Sequence, residues 1–184
     1  MNKVLIVIDA QEDFTRGALR NEQAIAALPI IKDIVDYADK NFDIPVHYTM
    51  DTHHNNYMMT QEGKNLPVPH CEEYTSGWEL CPEVLPTDSR SEIVVFKKPS
   101  FGYQYWNRYQ NIEDADEIWL CGFCTDICVS ANFQILKAAY PETPIVVIED
   151  ACAGVTPELH EAALKVMKSC QADIVKWEDI KGVR

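Results

Sequence analysis

At 184 residues the chain suits one domain that buries roughly two thirds of its unfolded surface, with no need of disulfides for stability. Its formal charge of −13 repels phosphate backbones and anionic membranes, so neither nucleic acid nor a membrane is an expected partner. No apolar run approaches the ~20 residues of a membrane span, and Met1-Asn2-Lys3 leads into an apolar stretch without a signal-peptide layout, so the expectation is a soluble, cytoplasmic protein whose odd number of cysteines is reduced.

Val4 to Ile8 is a continuous apolar run, as in a strand buried on both faces, and Asp9 follows at its carboxyl end. Helical spacing of Ile30, Ile31, Ile34, Val35 and Ala38 predicts a helix from Pro29, in the first turn, to about Lys40. Ile44 to Met50 is a second strand ending at Asp51. From Asp51 to Arg90 periodicity is weak and polar and proline residues are many, which marks a functional or disordered loop. A strand from Ile93 to Phe96 runs into Lys97-Lys98-Pro99, and an aromatic stretch from Phe101 to Tyr109 reads as a short helix. Ile118-Trp119-Leu120 is a strand, followed by a glycine turn and a helix to about Tyr140, for which Thr125 and Asp126 offer capping oxygens. Pro144 to Ile148 is a strand ending at Glu149-Asp150, Pro157 to Cys170 a helix, and Asp173 to Trp177 a last strand. This alternation predicts an α/β three-layer sandwich, a central mostly parallel sheet with helices on both faces, as a single domain over 1–184. Ligands of such sheets gather beyond the carboxyl ends of the strands, where Asp9, Asp51, Lys98 and Cys128 all fall.

Cys128 lies in the first turn of a helix, where unpartnered N–H groups and the helix dipole favour thiolate and lower the pKa from about 8.5. A thiol nucleophile needs a proton acceptor and a cation, and Asp9 and Lys98 supply both without histidine. Spacing alone leaves open that Asp9 caps a turn, Lys98 is solvated and Cys128 is a core thiol. Asp51 and His53, two apart in an extended chain, point to one side, and with Glu62 and His70 they form an imidazole and carboxylate set suited to Zn2+ or Fe2+, or else a group of solvated loop side chains. His54 is expected to point away, and His47 and His160 to be structural. Cys121-Gly122-Phe123-Cys124 is also a Cys-x-x-Cys, the pattern of a redox dithiol.

Four segments carry a family resemblance. Val4 to Phe14, with its Asp-x-Gln-x-Asp-Phe pattern, resembles the opening strand of the isochorismatase-like cysteine hydrolases, in particular their nicotinamidase branch. Lys98-Pro99-Ser100-Phe101 resembles the family's lysine segment, Gly122 to Val129 its nucleophile segment and Asp150-Ala151-Cys152-Ala153 a late signature, all in family order. The resemblance implies Cys128 as nucleophile, Asp9 as proton acceptor and donor, and Lys98 as the organising cation. It implies a cis peptide between Phe123 and Cys124 and an oxyanion hole made by the backbone N–H groups of Cys124 and Cys128. Metal-dependent members use an Asp-x-His pair and a later histidine, here Asp51, His53 and His70 in a loop within about 51–90, with Glu62 as a further carboxylate and Zn2+, Fe2+ or Mn2+ as the ion. Phe14 is expected to stack on the substrate ring, with Trp78 and Tyr105 as further candidates. The implied reaction converts nicotinamide to nicotinate and ammonia, a step of NAD salvage in pyridine nucleotide metabolism, by a homo-oligomer. A related amidase or an isochorismatase acting on another small molecule is the alternative. The chain departs from the pattern at Met59, at Cys124 and in Ser100-Phe101-Gly102.

Overall fold

The computed structural model describes residues 2–40, 44–87 and 93–182. Six strands, β1 (Lys3–Ile8), β2 (Val46–Asp51), β3 (Val94–Lys98), β4 (Glu117–Phe123), β5 (Ile145–Ala153) and β6 (Ala172–Val175), form one sheet in the order β3-β2-β1-β4-β5-β6. All five pairings are parallel. β1 lies in the middle, and every one of its residues is buried, as its unbroken apolar run requires. The chain winds outward from β1 to β2 and β3, then returns to β4 beside β1 and winds the other way to β6. Right-handed crossovers in opposite directions place their helices on opposite faces, which gives the three layers.

Helix α1 (Glu22–Lys40) is longer than the expected Pro29 to Lys40. Asn21 caps it by accepting the Gln23 N–H at 2.9 Å, and Ala24, Ala27 and Leu28 extend the buried stripe of Ile31, Ile34, Val35 and Ala38. Pro29 is inside this helix on its exposed side, where carbonyls tilt outward to water and a missing N–H is tolerated. The loop after β2 contains α2 (Gln61–Asn65), and its last part, 88–90, lies outside the described residues. The aromatic stretch forms a tight turn at Trp106–Arg108 and then α3 (Gln110–Glu113). Helices α4 (Ser130–Ala139) and α5 (Pro157–Ser169) pack together and on the segment that starts α4.

The last strand stops at Val175 and not at Trp177, which opens α6 (Trp177–Ile180). The Trp177 indole N–H donates to Asp33 of α1 at 2.7 Å, and its ring meets Tyr37 and Trp119 edge to face. Burying that large ring against α1 outweighs continuing an edge strand. β5 runs past Glu149-Asp150 to Ala153, its register against β4 shifting between Leu120 and Gly122. Gly122 has φ +117°, and a Cβ there would lie 2.0 Å from the Ile8 carbonyl oxygen, so only glycine lets β4 approach β1 this closely. No helix among the described residues is long and apolar enough to cross a membrane.

Candidate active site

The two winding directions part between β1 and β4, and the crevice beyond their carboxyl ends is the switch point where ligands of open parallel sheets bind. Asp9 leaves β1 there, and β2 and β3 bring Asp51 and Lys98 alongside in register. After β4 the peptide between Phe123 and Cys124 is cis, and a π-type turn over Thr125–Val129 carries Cys128 into the floor. Lys98 Nζ lies 2.6 Å from Asp9 Oδ2, 3.6 Å from Asp51 Oδ1 and 3.6 Å from Cys128 Sγ, and it donates to the Ser100 carbonyl at 3.1 Å. Asp9 and Lys98 are fully buried and Cys128 is 5% exposed. Thr49 donates to Asp9 Oδ1 at 2.6 Å. Lys97 faces outward to Glu73, whereas Lys98 faces the crevice.

Burial pushes the Asp9 carboxyl above its usual range, against the pull of Lys98. Burial alone would lower Lys98, but the charges of Asp9, Cys128 and Asp51 hold it above its usual value. The Cys128 thiol is also pushed up by burial, with Lys98 pulling the other way. This reverses the expectation that the helix start would by itself favour thiolate. Thr125 and Asp126 do not cap the helix either. Asp126 accepts the Val155 N–H at 2.9 Å and Thr125 Oγ1 lies 2.8 Å from His160 Nδ1, so they tie the turn to the segment leading into α5 and to α5 itself.

The second set also converges. Asp51, His53, Glu62 and His70 each offer a donor atom, all within 4.8 Å of one another. His53 Nε2 is 3.0 Å from Asp51 Oδ2 and 3.6 Å from Glu62 Oε1, while His70 Nε2 is 3.5 Å and 3.7 Å from the same atoms. Burial would lower His53, but its bonds to Asp51 and Glu62 hold it at about 9. Asp51 is buried, yet its bonds to His53 and His70 and the nearby Lys98 keep it below the carboxylate range. The geometry fits this donor set to a divalent ion: Asp51 Oδ2 faces both imidazoles while Oδ1 faces Lys98, and His70 Nδ1 lies 2.8 Å from the Val68 carbonyl, so an N–H there leaves the Nε2 lone pair facing the cluster. His54 points away, toward Glu73. A second acidic group, Glu12, Cys81 and Glu83, has Arg16 paired to both carboxylates and is an ion-pair cluster.

Three residues to which the sequence assigns no place at the site support it, among them His160, which is structural as expected. The Gln11 amide donates to the Asp51 and Trp78 carbonyls at 2.9 and 2.7 Å and accepts the Asp51 N–H at 2.8 Å, clasping the Asp51 backbone. Asp13 accepts the N–H groups of Ala18 and Cys71, the latter at 2.6 Å, and so fixes the chain beside His70. Gly77 closes over it so tightly that a Cβ would meet the Asp13 carboxylate at 2.3 Å. His160 holds the buried Thr125 hydroxyl next to Cys124. The Asp-x-Gln-x-Asp pattern was the available signal for the first two; nothing local marks His160.

A cavity of about 1330 Å³ opens above the floor, and Cys128, Cys124, Phe14, Asp51, His53 and His70 form its inner lining. Trp78 and Tyr105 do not line it. The Trp78 indole donates to Thr52 and its face lies under Lys97. Cys121 is sealed inside β4 and burial pushes its thiol well up, so the Cys-x-x-Cys string is not a reactive dithiol.

A doubly wound parallel sheet with a buried cysteine, carboxylate and ammonium at its switch point is an α/β architecture built for small-molecule chemistry. The chain belongs to the isochorismatase domain family, which matches residues 3–179. A nicotinamidase/pyrazinamidase of Mycobacterium tuberculosis is 26% identical over 192 residues, covering 94% of this chain and 98% of that protein. The crystal structure of a nicotinamidase from Bacillus subtilis superposes with a TM-score of 0.79 at 28% identity, over 96% of this chain and 100% of that one. A pyrazinamidase of Pyrococcus horikoshii, solved in complex with zinc, does so with a TM-score of 0.78 at 26% identity, over the same shares.

Proposed function

We propose that the protein is a metal-dependent cysteine amidohydrolase of nicotinamidase type, converting nicotinamide and water to nicotinate and ammonia. The observation that carries this reading is the meeting of Asp9, Lys98 and Cys128 within hydrogen-bonding or ion-pairing reach, beside a converging set of metal donors. Because burial disfavours the thiolate, attack needs a base, and Asp9, a carboxyl made more basic by burial and held beside Lys98, is suited to take that proton. The Cys128 sulfur then bonds to the carboxamide carbon, and the oxygen takes the negative charge against the Cys124 and Cys128 N–H groups. As the tetrahedral species collapses, the C–N bond breaks and Asp9 passes its proton to the departing ammonia, leaving a thioester. Water, deprotonated by Asp9, attacks the thioester carbon, the C–S bond breaks, and nicotinate and the Cys128 thiol are released. Lys98 stays charged throughout and holds both Asp9 and the sulfur in place. Phe14, in the inner lining and edge to face with His70, would stack on the pyridine ring.

Asp51, His53, Glu62 and His70 would hold Zn2+, Fe2+ or Mn2+, which when bound supplies a Lewis-acid anchor that orients the substrate. The test is ammonia release from nicotinamide by wild type, with and without a chelator, and by Cys128→Ala. Turnover that the chelator abolishes and the alanine variant lacks is the expected result. Retained turnover by Cys128→Ala would overturn the thioester route, and full activity after verified metal removal would overturn the role of the ion.

A further inference from the structure

Resting on that amidase reading, we infer that the outer part of the cavity is a second subsite, and that the enzyme prefers primary aromatic carboxamides bearing an uncharged apolar ring substituent over nicotinamide itself. The cavity holds about 1330 Å³, whereas roughly 300–1,000 Å³ encloses a drug-sized ligand. A single-ring amide seated between Cys128 and Phe14 covers only the inner lining. The same cavity is also lined by Leu19, Leu66, Phe101, Ile127 and Val155, brought to it from five separate segments. Leu66 is 38% exposed, Phe101 45% and Val155 51%. Single exposed apolar side chains mean little, but several lining one cavity continuous with a nucleophile form a surface that a ligand would cover.

The mouth argues that the substituent is uncharged. Arg20, the cation on the rim, is taken up by Glu22, with contacts of 2.8 and 3.0 Å. The Asn21 amide is committed to the Gly154 carbonyl at 2.7 Å and the Asn65 amide to the Gln61 carbonyl at 2.8 Å. The rim's cation and two of its amides are thus spent within the protein, the remaining amides of the lining, Gln23 and Gln61, carry no charge, and the apolar side chains are what a ligand would cover. The chemistry is unchanged: each amide and one water yield the ring carboxylate and ammonia.

The test compares kcat/KM for ammonia release from nicotinamide with that from nicotinamides carrying a phenyl or butyl group at each free ring carbon. The expected result is that the best extended amide exceeds nicotinamide by about tenfold, equivalent to ~1.4 kcal/mol. Phe101→Ala and, on a different element, Leu66→Ala are each expected to lower that ratio about threefold or more. A best ratio at or below one, with nicotinamide itself turned over, overturns the second subsite while leaving the amidase reading intact. So does a dimer that Phe101→Asp splits and that excludes the extended amides, since a second copy of the chain would then cover these side chains. No ammonia from any amide would instead sink the amidase reading.

Discussion

Replacing Lys98 by Met removes the cation around which the floor of the cavity is arranged. Lys98 Nζ stands 2.6 Å from Asp9 and 3.6 Å from Asp51, and neither Asp9 nor Lys98 is exposed. At an effective dielectric of ~20 the closer pair attracts by about 6 kcal/mol, part of which offsets the desolvation of both ions. Breaking such a pair from one side leaves a buried charge and costs roughly 3–5 kcal/mol, or roughly 6–20 °C in Tm at ~2–4 °C per kcal/mol for a chain of this size. Asp9→Asn should cost a similar amount, because the ammonium then loses its closest anion and keeps Asp51, the Cys128 sulfur and the Ser100 carbonyl. The double variant should lose little more than either single one, a coupling energy of about 3 kcal/mol or more. Lys98→Met should also alter the pH profile. A carboxyl raised by burial contributes stability that is fully present below its unfolded pKa and is lost as pH rises through its folded value. Without Lys98 the Asp9 carboxyl rises further, so the variant should weaken relative to wild type from about pH 4 upward. Urea unfolding of all four proteins in excess chelator, which removes metal linkage, measures this cycle. Additive losses, or a loss below ~1 kcal/mol for Lys98→Met, would refute the account of the floor.

His160→Ala should leave the buried Thr125 hydroxyl unpaired, lower kcat about tenfold with KM unchanged, and cost about 1–3 kcal/mol of stability. His160→Asn, whose amide reaches the position of Nδ1, should restore most of kcat; an unchanged kcat in the alanine variant would show that the contact does not position the turn. His47 is buried and its pKa is pushed down to about 4, chiefly by desolvation and against its bond to Asn111. Its contribution is complete above the unfolded value of about 6.5 and is lost as pH falls toward 4, on the order of 3 kcal/mol in all. Urea midpoints between pH 7 and 4 should therefore fall less steeply for His47→Leu than for wild type, and parallel curves would contradict that assignment.

The strands at the centre of the sheet were legible because a strand buried on both faces needs an unbroken apolar run, and Val4 to Ile8 has one. The start of α1 was not, because Pro29 resembled a first-turn residue and the cap at Asn21 lies beyond a stretch whose buried face is mostly alanine. Trp177 was drawn into the last strand by its apolar character, but its place is decided by Asp33, Tyr37 and Trp119, far away in sequence. The same contrast holds at the site. Asp9, Lys98 and Cys128 could be placed near one another because strand ends in a parallel sheet share an edge. The raised thiol could not be read in advance, since burial depends on what packs above the helix start. Gln11, Asp13 and His160 act through hydrogen bonds across 40 or more, 58 and 35 positions, which leave no periodic trace.

The most direct measurement of the central claim is mass analysis of acid-quenched enzyme during turnover of nicotinamide. A nicotinoyl thioester on the peptide containing Cys128, absent from Cys128→Ala and accumulating when water attack is slowed, is the predicted result. Steady ammonia release with Cys128 unmodified at every quench time, and undiminished in Cys128→Ala, would contradict the account.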